Sequence, residues 1–141
     1  MKKFRGKYLH NLDQKNRLSI PTKFRELLGD SFIVCKPLNG DKCIMIYSEQ
    51  GWDEFMEAVE EKYDGRELVL FKRFANANID TAEADKQGRV TLKAEFCDFA
   101  NLVREVFVVG AENHFEIWDK QEWVDMEEKE GSFFKAFNGP Y

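Results

Sequence analysis

The amino-acid sequence predicts an α+β protein made of two copies of one unit, related by a pseudo-twofold axis within a single chain. Three observations point there. DQKNRLSIPTKF at residues 13–24 returns as DKQGRVTLKAEF at residues 85–96, so an Asp-x-x-x-Arg, alternating apolar residues and a Phe recur 72 positions on. CIMIYSEQGW (Cys43 to Trp52) returns as HFEIWDKQEW (His114 to Trp123), setting Ile46 against Ile117, Tyr47 against Trp118 and Trp52 against Trp123. A period of about 70 residues exceeds the roughly 20–50 of a solenoid. Two copies therefore imply halves that bury each other's apolar faces.

Within each half the elements are expected in the order strand, helix, hairpin, helix. Arg17 to Ile20 alternates polar and apolar side chains as a half-buried strand does, and Pro21 suits the start of a helix that ends at Gly29. Phe24, Leu27 and Leu28 give that helix one apolar face. Phe32 to Cys35 and Ile44 to Tyr47 are hairpin strands separated by the turn formers Pro37, Asn39, Gly40 and Asp41. Ser48 then caps a helix with Trp52, Phe55, Met56, Val59 and Tyr63 on its core side. Leu68, Phe71, Phe74 and Ala75 mark a further helix, and the polar stretch through Asn76, Asn78 and Asp80 reads as a connector. In the second half Arg89 to Leu92 is the strand, Phe96, Phe99 and Ala100 the helix face, and Val106 to Val109 with Phe115 to Trp118 the hairpin. Asp119 and Glu122 have the spacing of a capping box for the last helix. The resulting organisation is a single duplicated domain: repeat one 1–63, connector helix and linker 64–83, repeat two 84–130, each repeat β-α-β-β-α, and an aromatic tail 131–141. Trp52, Trp123, Ile46 and Ile117 are the expected duplicated core. The tail rings Phe133, Phe134, Phe137 and Tyr141 suit either a subunit contact or an intrachain clasp.

Composition narrows the class. At 141 residues and 43% apolar, the chain can bury roughly two-thirds of its unfolded surface in one core. Cys35, Cys43 and Cys97 are odd in number with no Cys-x-x-Cys spacing, which suits reduced thiols rather than a disulfide framework or a zinc site. With no apolar run behind the basic N-terminus and none near the roughly 18 residues of a span, neither signal peptide nor membrane segment is expected. The expected location is the cytoplasm.

The net charge of −5 conceals a strong asymmetry. Met1 to Arg25 holds eight cations (Lys2, Lys3, Arg5, Lys7, Lys15, Arg17, Lys23, Arg25) against Asp13 alone, a local balance of +7. Glu49 to Glu61 carries six carboxylates and no cation, and Glu112 to Glu130 carries eight against Lys120 and Lys129. A polyanion is thus a plausible partner for one end of an acidic protein.

FRG at Phe4 to Gly6, LDQKNRLSIPTKFR at Leu12 to Arg25, DKQGRV at Asp85 to Val90 and EIWDKQEW at Glu116 to Trp123 resemble the MraZ family of bacterial transcriptional regulators, associated with the division and cell-wall gene cluster. The likeness runs from residue 1 to about 130, and its specificity lies in having two Asp-x-x-x-Arg motifs in one chain. The resemblance implies a swapped-hairpin β-barrel of the AbrB type with peripheral helices, the two halves of one chain replacing the two chains of an AbrB-like dimer. It further implies ring-shaped homo-oligomers, binding to G-rich direct repeats of double-stranded DNA in the protein's own promoter, repression of that cluster, and a place in the nucleoid. The chain departs from the family at Asn16, where glycine is usual, and at Lys93, where proline is usual. Asn tolerates a positive φ, so the turn is expected to survive; Lys93 adds a cation near the expected DNA side.

The residues themselves suit that partner. A pseudo-symmetric pair brings Arg17 and Arg89 near one another, and the planar guanidinium takes two bonds from guanine O6 and N7. These two are the expected base readers. Lys2, Lys3, Arg5, Lys7 and Lys15 suit backbone phosphates, while Asp13 and Asp85 orient the motif arginines. Two rival classes are weaker. Asp13 and Asp85 could form an aspartic-protease-like dyad, but an arginine four residues after each keeps both ionised; no enzyme, cofactor, metal site or small-molecule substrate is expected. The alternative is a ring-forming protein-interaction module whose basic rim binds acidic partners, without DNA specificity.

Overall fold

Fourteen elements form across the residues that the computed structural model describes, 3–140; Lys2 of the basic arm and Tyr141 of the tail lie outside that range. The first half comprises β1 (Lys7–Asn11), β2 (Arg17–Ser19), α1 (Thr22–Leu28), β3 (Ser31–Cys35), β4 (Ile44–Ser48) and α2 (Glu49–Lys62). After α3 (Gly65–Ala77) the second half repeats the order with β5 (Ile79–Glu83), β6 (Arg89–Thr91), α4 (Ala94–Phe99), β7 (Glu105–Gly110), β8 (Phe115–Asp119) and α5 (Lys120–Glu130), followed by the short α6 (Ser132–Ala136). Each half is therefore β-β-α-β-β-α, one strand more than the expected β-α-β-β-α. The additional strands are β1 and β5, and β5 forms from the polar stretch read as linker.

Two helices start on side-chain caps. Ser48 Oγ accepts the Gly51 N–H at 2.9 Å to start α2, and the Asp119 carboxylate accepts the N–H groups of Gln121 (3.1 Å) and Glu122 (3.4 Å) to start α5. Only half of the expected capping box forms, because Glu122 accepts from Asn101 Nδ2 at 2.9 Å instead.

The halves interlock. Six strands form one antiparallel sheet in the order β1-β7-β8-β4-β3-β5, and β2 pairs with β6 in a separate two-stranded ribbon. The pseudo-twofold axis passes between β8 and β4. The first strand of each half pairs with the other half: β1 with β7, β5 with β3. Neither half can complete its backbone hydrogen bonds alone. No closed barrel is found among the described residues, since β1 and β5 are opposite edges of the sheet and the ribbon pairs only with itself.

Strand alternation sorts side chains between two apolar clusters. Phe32 and Val34 join Phe24, Phe96, Phe115, Leu18, Val90, Ile46 and Ile117 in the main core, whereas Ile33 and Cys35 point to the other face, where Tyr47, Trp52 and Phe55 lie beneath α2. Ile46 and Ile117 are thus core residues as expected. Trp52 and Trp123 are only half-buried and pack on the outer layer, against Tyr47 and Trp118 respectively, with ring centroids 5.5 and 5.6 Å apart. All three cysteines are buried and free, and burial pushes the Cys35 thiol up to about 12. Phe133, Phe134 and Phe137 are exposed and stack on one another, so no clasp onto the body of the chain forms among them. Among the described residues no helix is long and apolar enough to cross a membrane.

Candidate nucleic-acid interface

The two Asp-x-x-x-Arg motifs fold into the same loop. In the first, Asp13 Oδ1 accepts the N–H groups of Lys15 (2.9 Å) and Arg17 (2.8 Å), while Oδ2 accepts Arg17 Nε at 2.7 Å. In the second, Asp85 Oδ1 accepts from Gln87 and Arg89, each at 2.9 Å, and Oδ2 accepts Arg89 Nε at 2.9 Å. Asn16 and Gly88 occupy the left-handed corner, at φ 59° and 77°. Asn16 therefore adopts the positive φ expected of it. Each carboxylate is held below its ordinary value of 3.8, chiefly by the backbone N–H of its motif arginine, with partial burial opposing and the guanidinium reinforcing. Both stay charged at neutral pH.

The ribbon joins the loops into one face. In β2 and β6, Leu18 pairs with Val90, Arg17 with Thr91 and Ser19 with Arg89. Leu18 and Val90 point into the core, at 1% and 0% exposure. Period-two alternation then puts Arg17, Ser19, Arg89 and Thr91 together on the outer face. Arg17 and Arg89 are diagonal neighbours there, with backbones roughly 7–8 Å apart. Because each Nε is held by its Asp, the Nη edge of each guanidinium has no bond partner among the described residues. The loops also tie each other down: Leu92 N–H donates to Asn16 O at 2.8 Å and Ile20 N–H to Gly88 O at 3.0 Å.

The structure brings Arg17, Arg89, Asp13, Asp85 and Lys15 together and sets the N-terminal arm apart. Arg5 Nε pairs with Glu112 at 3.4 Å, and Lys7 Nζ lies 4.7 Å over the Phe107 ring and 5.6 Å over that of Trp123. Phe4 bridges to Glu112 at one end of β1, whereas the first loop leaves the other end, where Leu12 N–H donates to Arg104 O at 2.7 Å. Lys3, Arg5 and Lys7 are thus separated from the loop by about 15 Å, the length of a five-residue strand. Lys93, expected to add a cation, pairs with Asp80 at 3.2 Å.

Two further cations stand at the face: Lys86, which the sequence does not single out, and Arg25, which it marks only as part of the basic N-terminal stretch. Lys86 is an exposed residue of the second loop, the counterpart of Gln14, and aligning the copies position by position would have found it. Arg25 reaches from α1 across Gly88, where a Cβ would collide with its guanidinium. Its signal is that the copies differ in charge at this position of the motif helix, Arg25 against Cys97, as they do at Lys23 against Glu95.

Fold and site together define a class: a duplicated α+β protein whose halves exchange strands to present two carboxylate-fixed arginines on one ribbon. The chain belongs to the MraZ family. The family model described as "MraZ protein, putative antitoxin-like" matches residues 3–72 and again residues 74–138, dividing the chain between its two copies. Among its relatives, the protein is 39% identical over 121 residues to one from Desulforamulus reducens, spanning 85% of this chain and 84% of the relative. It is 35% identical over 136 residues to one from Natranaerobius thermophilus (94% and 92%) and 38% identical over 130 residues to one from Clostridium acetobutylicum (89% and 87%). All three bear the name transcriptional regulator MraZ.

Proposed function

We propose that this protein is a sequence-specific transcriptional regulator that binds double-stranded DNA through the β2–β6 ribbon, with Arg17 and Arg89 reading base edges. The supporting observation is the pair of guanidinium groups fixed through Nε by Asp13 and Asp85 on the outer face of a two-stranded ribbon, with no hydrogen bond to their Nη atoms among the described residues. A β-ribbon fits the major groove, about 12 Å wide, and an arginine with Nε already engaged can still offer two parallel donors to a guanine. Holding each guanidinium in place beforehand lowers the entropy lost on binding. The shared name of the relatives, a regulator, supports the same function and no catalysis.

Finer features belong to the same proposal. Lys15 contacts backbone phosphates beside the readers; Lys2, Lys3, Arg5 and Lys7 add positive field at longer range. The targets are G-rich direct repeats upstream of the protein's own division and cell-wall cluster, which it represses in the nucleoid. The exchange of β1 and β5 between halves supports a swapped-hairpin relation to AbrB-like proteins. Exposed apolar side chains at Val103, Phe133 and Phe134 support a homo-oligomer, ring-shaped in this proposal, whose repetition raises avidity on repeated sites.

Fluorescence anisotropy on two labelled duplexes, the G-rich repeats and a scrambled sequence of equal composition, tests this at two salt concentrations. Binding to the repeats at least about tenfold tighter than to the scramble, persisting as salt rises, is the expected result. Equal binding to both that disappears with salt would leave a merely basic surface.

A further inference from the structure

The two loops are alike, but the surfaces flanking them carry different charge. Beside the second loop, β1 and α1 bound a cleft of about 570 Å³ whose lining includes His10, Ser19, Lys23, Arg25 and Gln87 and no carboxylate. Ser19 is the outward residue paired with Arg89, and Gln87 belongs to the second loop, so the cleft opens onto the arginine face. Arg25 is held there by its packing across Gly88 and donates from Nη2 to Thr22 Oγ1 at 3.4 Å. On its far side Arg25 borders an acidic hollow containing Glu26, Asp30, Glu83 and Asp85, which leaves the Lys23 side as the one suited to an anion.

The 72-residue offset gives the corresponding positions beside the first loop. Lys23 becomes Glu95, Arg25 becomes Cys97, His10 becomes Ala82 and Tyr8 becomes Asp80. Lys93 there is already paired with Asp80, Cys97 is buried, and Lys15 in the place of Gln87 faces a flank that includes Glu95. One flank thus has two cations and no carboxylate, while the other has two of each.

We infer that the cleft between β1 and α1 takes a DNA backbone phosphate and that its counterpart beside α4 takes none, so one chain accepts its duplex in a single direction. This rests on the DNA-binding function proposed above. The paired arginines alone would accept a duplex in either direction, because the pseudo-twofold axis exchanges Arg17 with Arg89. Lys23 and Arg25 break that equivalence. A flexible point charge and a planar fork, both facing a backbone and neither facing a base, add affinity with polarity but without base preference.

Thr22 and Ala94 are exposed and equivalent by the offset, and the native cysteines are buried, so Thr22→Cys and Ala94→Cys can each carry a tethered iron chelate that cleaves nearby DNA. On a duplex with one repeat, cleavage from position 22 is expected at one end of the footprint only and from position 94 at the other. Equal cleavage at both ends from either position overturns the inference. In parallel, Lys23→Gln is expected to weaken binding about tenfold and lower the salt slope by about one, as the loss of one phosphate contact does, while Glu95→Gln stays within about twofold. Gly88→Asn, which keeps the positive φ but displaces Arg25, should weaken binding with the loops intact. If Lys23→Gln and Glu95→Gln shift affinity equally in opposite directions, net charge alone acts and the inference fails. Should Arg17→Ala abolish binding while Lys23→Gln matches the parent, only this inference falls; a parent that binds neither duplex removes the DNA function as well.

Discussion

The first and second motif loops form the same three hydrogen bonds to an Asp carboxylate, yet they sit in different surroundings. Asn16 and Gly88 take the same left-handed corner, so the turn does not by itself demand glycine. What sets the second loop apart is Arg25, whose guanidinium lies where a Cβ at Gly88 would and must swing aside for any larger residue; the first loop has Cys97 at the equivalent place and carries Asn16. The carboxylate fixes the loop, whereas its neighbours decide what the face presents to solvent.

The largest expected effect lies in the cores behind the loops. Phe24 packs edge-on against Phe4 and Tyr8 and lies 4.9 Å from the Phe115 ring, whereas its counterpart Phe96 is buried with no such ring cluster among the described residues. Phe24→Ala and Phe96→Ala should each cost about 3–5 kcal/mol in urea denaturation, with Phe24 the costlier by about 1 kcal/mol. Equal losses would show that the aromatic contacts add nothing beyond burial.

Gly88→Ala comes next, at about 1–2 kcal/mol for the positive φ, because the flexible Arg25 chain can swing aside. Thermal unfolding measures that cost directly. Acid titration sharpens the likeness of the loops. Asp13 and Asp85 have folded pKa values below the ordinary 3.8, so their stabilisation is complete above that pH and is lost as pH falls through the lowered values. The double variant Asp13→Asn, Asp85→Asn should therefore show a flatter loss of stability below about pH 4 than the parent and an unchanged dependence from pH 5 to 7. A parallel loss in both proteins below that pH would mean the loops contribute no acid sensitivity. Smallest of all, Asn16→Gly should leave stability within about 0.5 kcal/mol, since the corner already has glycine's conformation.

Much of the fold was legible in the sequence, and the gaps have physical causes. The β2 and β6 strands, both hairpins and the cap at Ser48 follow from alternation, turn formers and side-chain chemistry read locally. β1 and β5 did not, because KYLHN and IDTAE are edge strands with no fully buried residue in either, and their pairing lies entirely in the opposite half. Periodicity tells which face is covered but not which strand covers it. The same limit hid part of the site. Arg17 and Arg89 could be paired from the repeat, but the contact of Arg25 with Gly88 joins positions 63 residues apart in different halves. The diversion of Arg5 to Glu112 and of Lys7 to Phe107 and Trp123 likewise depends on β1 lying beside β7.

Whether both loops act as one DNA-binding face is tested most directly by the affinities of Arg17→Ala, Arg89→Ala and the parent for a single G-rich repeat. Each single variant should lose about 1–3 kcal/mol of binding with an unchanged circular dichroism spectrum, because each removes one fixed guanidinium. An Arg89→Ala protein that binds as tightly as the parent would contradict the two-loop face and leave the first motif as the sole reader.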